Sequence, residues 1–313
     1  MKNKTEPVAR RERRDIHGIL LLDKPHGLSS NKALQRVKYM LSARKAGHTG
    51  SLDPAATGML PLCFGDATRY SQVLLNADKT YLARATLGEL RDTGDAEGQT
   101  VGTADIPELC VQQWQVIADQ FIGEIEQVPP MYSALKHEGK RLYELARAGE
   151  QVTRAARKIV IHDIRITAVD SETVTLKVRC SKGTYIRTLL EDIAAAAGTL
   201  AWTSMLRRLS VHPFDQPMVT LDALEQLRDI DSHIEALLLP TQAMLADWPT
   251  TVLGIEDARR FCMGQRLAGH ALEPGQYACF GDNGLFLGTS QVSHDQVLRP
   301  TRVMTSAQQQ LAG

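Results

Sequence analysis

The sequence predicts an α+β fold in two parts, and three observations carry that expectation. In residues 158–181, Val174, Leu176, Val178 and Cys180 alternate with Thr175, Lys177, Arg179 and Ser181. A period of two with one dry and one polar face reads as paired antiparallel strands. Elsewhere the period is helical: Ala33, Leu34, Val37, Met40 and Leu41 fall on one face, as do Ile186, Leu189, Leu190, Ile193, Ala194 and Ala197. From about Thr251 the texture changes to short runs, Gln276–Phe280 and Leu285–Gly288, around Gly281-Asp282-Asn283-Gly284. That turn is a strong hairpin signal, and short strands with Gly turns predict a small barrel-like unit.

A chain of 313 residues is long enough for two domains. We expect a basic arm over 1–15, a large catalytic domain over 16–250 and a small domain over 251–313. The arm carries Arg10, Arg11, Arg13 and Arg14 with no apolar pattern, and is expected to be mobile. It lacks the apolar core of a secretory signal, and no apolar run is long enough to cross a bilayer, so a cytoplasmic protein is expected. The five cysteines are odd in number and scattered, with no CxxC, which argues for reduced thiols. The histidines include no HExxH or close pair, so no metal site is expected.

The formal net charge is zero, but it is unevenly spread. Residues 1–50 hold twelve Lys/Arg against four Asp/Glu, and residues 209–258 hold one Arg against nine acids. Such asymmetry can offer a basic face to a polyanion despite the zero sum.

In chain order, His17–Asp23 is an apolar run of strand length, stopped by Lys24-Pro25-His26-Gly27. Ser29 or Ser30 can cap the helix that follows. The stretch from Ala46 to Leu60 holds one carboxylate, Asp53, among Gly47, Gly50, Gly58 and Pro54. It is too rich in Gly and Pro for a helix or central strand, and reads as a loop. From the residues alone, Asp53 is a reactive group on a scaffolded loop or an ordinary solvated turn acid. Strands are expected at Leu60–Gly65 and Lys79–Gly88, with a helix at Thr68–Leu75 between them. Residues 89–105 read as a polar loop and Trp114–Phe121 as part of a helix. Pro129-Pro130 gives an extended entry that presents Tyr132 and Lys136. A helix from Lys140 stops at Gly149. Thr184 is placed to cap the helix that begins near Ile186. Arg187 then falls in that helix's first turn, where a cation is disfavoured by the helix dipole, so an acidic partner is expected. Leu221–Leu227 and His233–Leu239 read as helices.

The run GHTGSLDPAATG resembles the active-site motif of the TruB family of tRNA pseudouridine synthases. LLLDKPHGLSSNKAL, the KxYxA segment at Lys79–Ala83, QVPPMYSALK, KGTYIR and AWTSMLRRLSV resemble further segments of that family, the last of them, Ala201–Val211, one of its strands. GQRLAG, GLFLG and LRPTRV resemble, less specifically, a PUA RNA-binding domain. The resemblance implies a pseudouridine synthase core, with a mixed, largely antiparallel sheet flanked by helices. It implies isomerisation of uridine 55 in the T-loop of tRNA, by base flipping and without metal or cofactor. It makes Asp53 the catalytic residue, Arg187 its partner and Tyr81 the ring that stacks on the target base. His48 would support the flipped nucleotide, Tyr185 and Leu206 would wall the uracil, and Lys24 is counted among the substrate-binding residues. The partner implied is tRNA; no protein partner or membrane is implied, and a monomer is expected. A tRNA-folding role is compatible with the same residues. A nucleoside hydrolase is the rival enzyme, but most glycosidases flank the bond with two carboxylates, and this motif offers one.

Overall fold

The computed structural model describes residues 12–133, 135–137, 139–150, 152–227 and 234–312. The chain opens with β1 (Gly18–Lys24), seven residues of which five are apolar or glycine and nearly all are buried. Helix α1 (Ser30–Met40) follows, capped by Ser29, whose hydroxyl accepts from the Lys32 amide. Its predicted apolar face is buried, Leu41 included. Next come β2 (Ala46–His48), β3 (Thr57–Phe64), a 3-10 segment (Gly65–Tyr70), α2 (Ser71–Asn76) and β4 (Lys79–Leu87). A small ribbon, β5 (Glu89–Arg91) with β6 (Thr100–Thr103), closes the polar loop onto itself. Helix α3 (Val111–Asp119) leads to β7 (Gly123–Gln127), the short pair β8 (Lys136–His137) and β9 (Lys140–Arg141), and α4 (Leu142–Arg147). The long hairpin of β10 (Arg157–Val169) and β11 (Thr173–Cys180) runs into α5 (Ile186–Ala196) and β12 (Ala201–Val211). β13 (Val219–Thr220) and α6 (Leu221–Gln226) end the first part.

These strands form one mixed sheet in the order β13-β1-β3-β12-β4-β11-β10-β7, with β2 added to β3. All its ladders are antiparallel except β1 with β13 and β3 with β12. The mixed, largely antiparallel sheet therefore matches the expectation. Helix α5 packs its Ile186, Leu189, Leu190 and Ile193 against Ala83, Leu176 and Val178 of the sheet. Helix α1 packs on β1 and β3 through Leu34, Val37, Leu20 and Leu62.

A second sheet, β14 (Thr250–Leu253), β15 (Gly275–Gly281), β16 (Phe286–Val292) and β17 (Leu298–Val303), follows in that order. The predicted hairpin turn is present: the Gly281 amide donates to Leu285 O at 2.9 Å, and Asn283 Oδ1 accepts from the Leu285 amide at 3.0 Å. One core cluster runs through both sheets, joining Ile19, Met59 and Tyr70 to Phe261, Tyr277 and Phe286. Asp66 fastens the same junction, accepting from the Thr305 amide at 2.8 Å and from its hydroxyl at 3.0 Å.

Three local expectations need correction. The stretch 46–60 is not all loop, since β2 and the first turns of β3 lie inside it. β3 tolerates Gly58 and Pro61 because its neighbour changes there: β12 pairs at Thr57 and Gly58, β2 from Leu62 onward. Pro61 sits between the two ladders, where neither needs the N–H it lacks. Thr184 does not cap α5; its hydroxyl donates to Ser181 O at 3.0 Å, and Tyr185 stands at the cap position. Arg14, expected to belong to a mobile arm, is held in place. Arg14 is fixed by the Arg14 amide on Ser42 O, 2.8 Å, and by an ion pair with Glu235. Residues 1–11 lie outside the described residues, as does part of the helix expected at His233–Leu239.

Candidate active site

β2 and β3 are antiparallel neighbours, so residues 49–56 must reverse the chain between them. The reversal is held by anchors on both sides of Asp53. Ser30 donates to Leu52 O at 3.0 Å and accepts from the Leu52 amide at 2.8 Å. Pro54 O accepts from the Gly27 amide at 2.8 Å and from Lys24 Nζ at 3.3 Å. The Asp53 carboxylate is thus placed by its two neighbours in the chain, while its own side chain stays half exposed. Gly50 takes φ +88° and Gly58 φ +98°, angles open to glycine and strained for other residues.

Arg187 meets that carboxylate from α5, at 3.2 Å. Its side chain is 7% exposed, so the charge lies at the positive end of a helix, largely out of water. Compensation comes from four acceptors. One terminal nitrogen reaches Asp95 Oδ2 at 3.2 Å and donates to Thr93 O at 2.7 Å. The other reaches Asp53 and donates to Tyr132 O at 2.6 Å. Two carboxylates and two carbonyls around one planar guanidinium fix its orientation as well as its charge. The acidic partner expected for Arg187 is therefore two acids.

This cluster stands between two cavities. An open cleft of about 1020 Å³ is lined by His48, Asp53, Tyr132, Ser133 and Arg187 among others. A small cavity of about 140 Å³ is lined by Asp53, Asp95, Arg187, Thr203 and Leu206 among others. Tyr185 flanks the same site. Burial raises its phenol pKa, and the charges of Asp53 and Arg187 both reach it. Gln127 pins its backbone on both sides, at 2.8 and 3.1 Å. Tyr81 lies one strand away on β4, directly opposite Arg208 of β12. Burial raises its phenol pKa, and the charges of Arg208 and Asp53 both reach it. Burial, and then the Arg208 charge, lower the pKa of His48, which favours a neutral ring.

Of the residues singled out by sequence, Asp53, Arg187 and His48 meet in the open cleft, and Leu206 meets the first two in the small cavity. Lys24 departs from expectation. It is 0% exposed, and its ammonium donates to Pro25 O, Leu28 O and Pro54 O at 2.9, 2.6 and 3.3 Å. An ammonium has three donors, and all three are taken. Burial pushes its pKa down to about 8, opposed by the nearby Asp53 charge. Lys24 supports the loop from beneath and does not face the cleft. The side chain of Lys136 lies outside the described residues.

Sequence reasoning passed over Asp95 and Arg208 and saw Ser30 only as a helix cap. Asp95 lay in a segment read only as polar loop, although the need of Arg187 for an acidic partner pointed to some acid. Its placement comes from a backbone contact: the Thr203 amide donates to Gly94 O at 2.9 Å, pulling the 92–97 turn onto β12.

The N-terminal model of the TruB family of pseudouridylate synthases matches residues 38–186. A tRNA pseudouridylate synthase B C-terminal model matches 187–246, and a pseudouridine synthase II TruB C-terminal model matches 249–304. The tRNA pseudouridine synthase B of Actinobacillus succinogenes is 47% identical over 296 residues, covering 93% of this chain and 95% of its own. The chain belongs to the TruB family. The enzyme of the same name from Ralstonia nicotianae is 49% identical over 306 residues, covering 95% of this chain and 96% of its own. Among solved structures, a Cbf5-Nop10-Gar1 complex aligns with a TM-score of 0.71 at 24% identity, covering 92% of this chain and 84% of that one. At that identity the likeness speaks for the fold alone. In this TruB-family chain the boundary between the first two matched models falls between Ile186 and Arg187, so the Asp53–Arg187 contact joins one matched region to the next.

Proposed function

We propose that this chain isomerises uridine to pseudouridine in tRNA, at position 55 of the T-loop, with Asp53 as the catalytic carboxylate. The observation that carries this reading is the Asp53–Arg187 ion pair standing between an open cleft and a small cavity, in a chain whose relatives are named tRNA pseudouridine synthase B. The reaction breaks the C1′–N1 bond, turns the uracil and joins C1′ to C5. Substrate and product have the same atoms, so no co-reactant is consumed.

A T-loop base is stacked and must be flipped out, at a cost of a few kcal/mol on the order given for base flipping. The open cleft receives the nucleotide. Arg187 orients the Asp53 carboxylate toward the sugar or the uracil ring, where a carboxylate can act as nucleophile or base. Tyr81 supplies a stacking surface worth ~1–3 kcal/mol by analogy with single-strand binders. Tyr185 and Leu206 wall in the detached uracil until it rejoins the sugar. His48, with its lowered pKa, supports the flipped nucleotide as a neutral ring. The segment 251–313 contributes RNA contacts as a PUA-like unit, and the protein acts as a cytoplasmic monomer.

The test is incubation of the purified protein with unmodified tRNA transcript, followed by mapping of pseudouridine. A single new pseudouridine at position 55 supports the reading. Free uracil, or modification confined to another loop, contradicts it.

A further inference from the structure

Among the described residues beneath this site, Arg208 is the largest buried cation with no carboxylate of its own. Arg187 and Arg207 take acids, Asp53 with Asp95 and Asp23 respectively. Arg208 is 1% exposed, and its partners are uncharged oxygens. Its Nε donates to Met59 O at 2.6 Å, and a terminal nitrogen donates to Gly50 O at 3.0 Å. Gly50 precedes Asp53 in the loop and Met59 follows it, so one guanidinium grips both legs of the reversal that carries the carboxylate.

The same side chain reaches the opposite wall. β12 lies between β3 and β4, and Arg208 is paired with Gly58 on one side and Tyr81 on the other. Cross-strand partners project from the same face of a sheet, and among the charges that reach the Tyr81 phenol that of Arg208 acts most strongly. Gly58 permits this packing: a Cβ there would fall 2.1 Å from Arg208 O. A buried charge without a counterion is costly, and neutral side chains would fill the same space more cheaply. What a neutral side chain could not do is donate to both legs of the Asp53 loop and present a charge to the Tyr81 phenol at the same time.

We propose that Arg208 is a positioning residue, which fixes the Asp53 loop and the Tyr81 ring in one frame so that carboxylate and aromatic wall stay in register around the flipped uracil. This rests on the function proposed above. Arg208 touches neither substrate nor reacting atoms; it acts through Asp53 and Tyr81.

The test compares purified Arg208→Gln and Arg208→Lys with wild type, each alone and combined with Tyr81→Phe. Folding is checked by thermal melting, and kcat and KM are measured on unmodified tRNA transcript. Misplacement on the order of an ångström costs about 100-fold in rate. We therefore expect kcat to fall by about that factor in Arg208→Gln, with KM within about threefold of wild type because the RNA contacts lie elsewhere. Arg208→Lys keeps a buried cation with fewer donors and should lie between. If Arg208→Gln fails to fold, Arg208→Lys carries the same comparison. In the Tyr81→Phe background the Arg208 change should cost about tenfold less, because the two are cross-strand partners and the Arg208 charge acts on the Tyr81 phenol. A folded variant with wild-type kcat, a loss confined to KM, or losses that multiply independently would each overturn the inference. An inactive wild type would instead overturn the proposed function, so the two failures are distinguishable.

Discussion

Arg187 and Asp53 meet at 3.2 Å with very different exposures, the guanidinium at 7% and the carboxylate at 50%. The cation belongs to the scaffold and the anion to the cleft. Such a pair leaves the carboxylate open to a substrate while its orientation is set from behind. Removing the buried member leaves the exposed one undirected; removing the exposed one leaves Arg187 with Asp95.

Asp95 is therefore expected to matter nearly as much as a direct contact would. Asp95→Ala takes away the acid that holds the other arm of Arg187, at 3.2 Å, and leaves a buried donor unsatisfied. We expect a stability loss of about 1–3 kcal/mol and a kcat fall of about 10- to 100-fold, with little change in tRNA affinity. Thermal melting and single-turnover assays on tRNA transcript check this. A variant as active and stable as wild type would show that Arg187 needs only Asp53.

Glu191, one turn beyond Arg187 on α5, gives a pH dependence. Burial and the neighbouring Asp192 and Asp95 charges raise its pKa to about 7, against the opposing charge of Arg187. Its unfolded value is 4.5. The folded protein therefore holds this proton more tightly, and the stability it contributes is full below pH 4.5 and is lost as pH rises through about 7. Glu191→Gln removes the titration. The variant should gain melting temperature over wild type when pH is raised from 5 to 8, the range spanning the folded value. A difference independent of pH would contradict this.

The shared core changes what a truncation means. Deleting residues 251–313 would uncover Ile19, Met59 and Tyr70, which pack with Phe261 and Phe286. We expect the truncated protein to lose solubility and cooperative melting, so its tRNA affinity would report misfolding. The point substitution Asp66→Ala is the gentler probe. It removes two hydrogen bonds to Thr305 and should cost about 1–3 kcal/mol by thermal melting. Unchanged stability would show that the second sheet is only loosely docked.

Much of this was legible in the chain because it is local. The face of α1, the alternating strand Thr173–Cys180 and the hairpin at Gly281–Gly284 follow from period and turn chemistry alone. The Asp53–Arg187 contact was legible because a first-turn Arg needs an acid and the family motifs name one. What sequence hid was register. Nothing local says that the 92–97 turn folds onto β12 and delivers Asp95, or that Arg208 turns inward while Arg207 takes Asp23. Lys24 misled for the same reason: a lysine beside a turn reads as a surface cation until three carbonyls close over it.

The most direct measurement is pseudouridine formation by Asp53→Asn on unmodified tRNA transcript, with tRNA binding measured on the same preparation. The account predicts no pseudouridine at position 55 and near wild-type affinity, because affinity comes from many phosphate contacts and one carboxylate performs the chemistry. Full activity in a folded Asp53→Asn protein would contradict it.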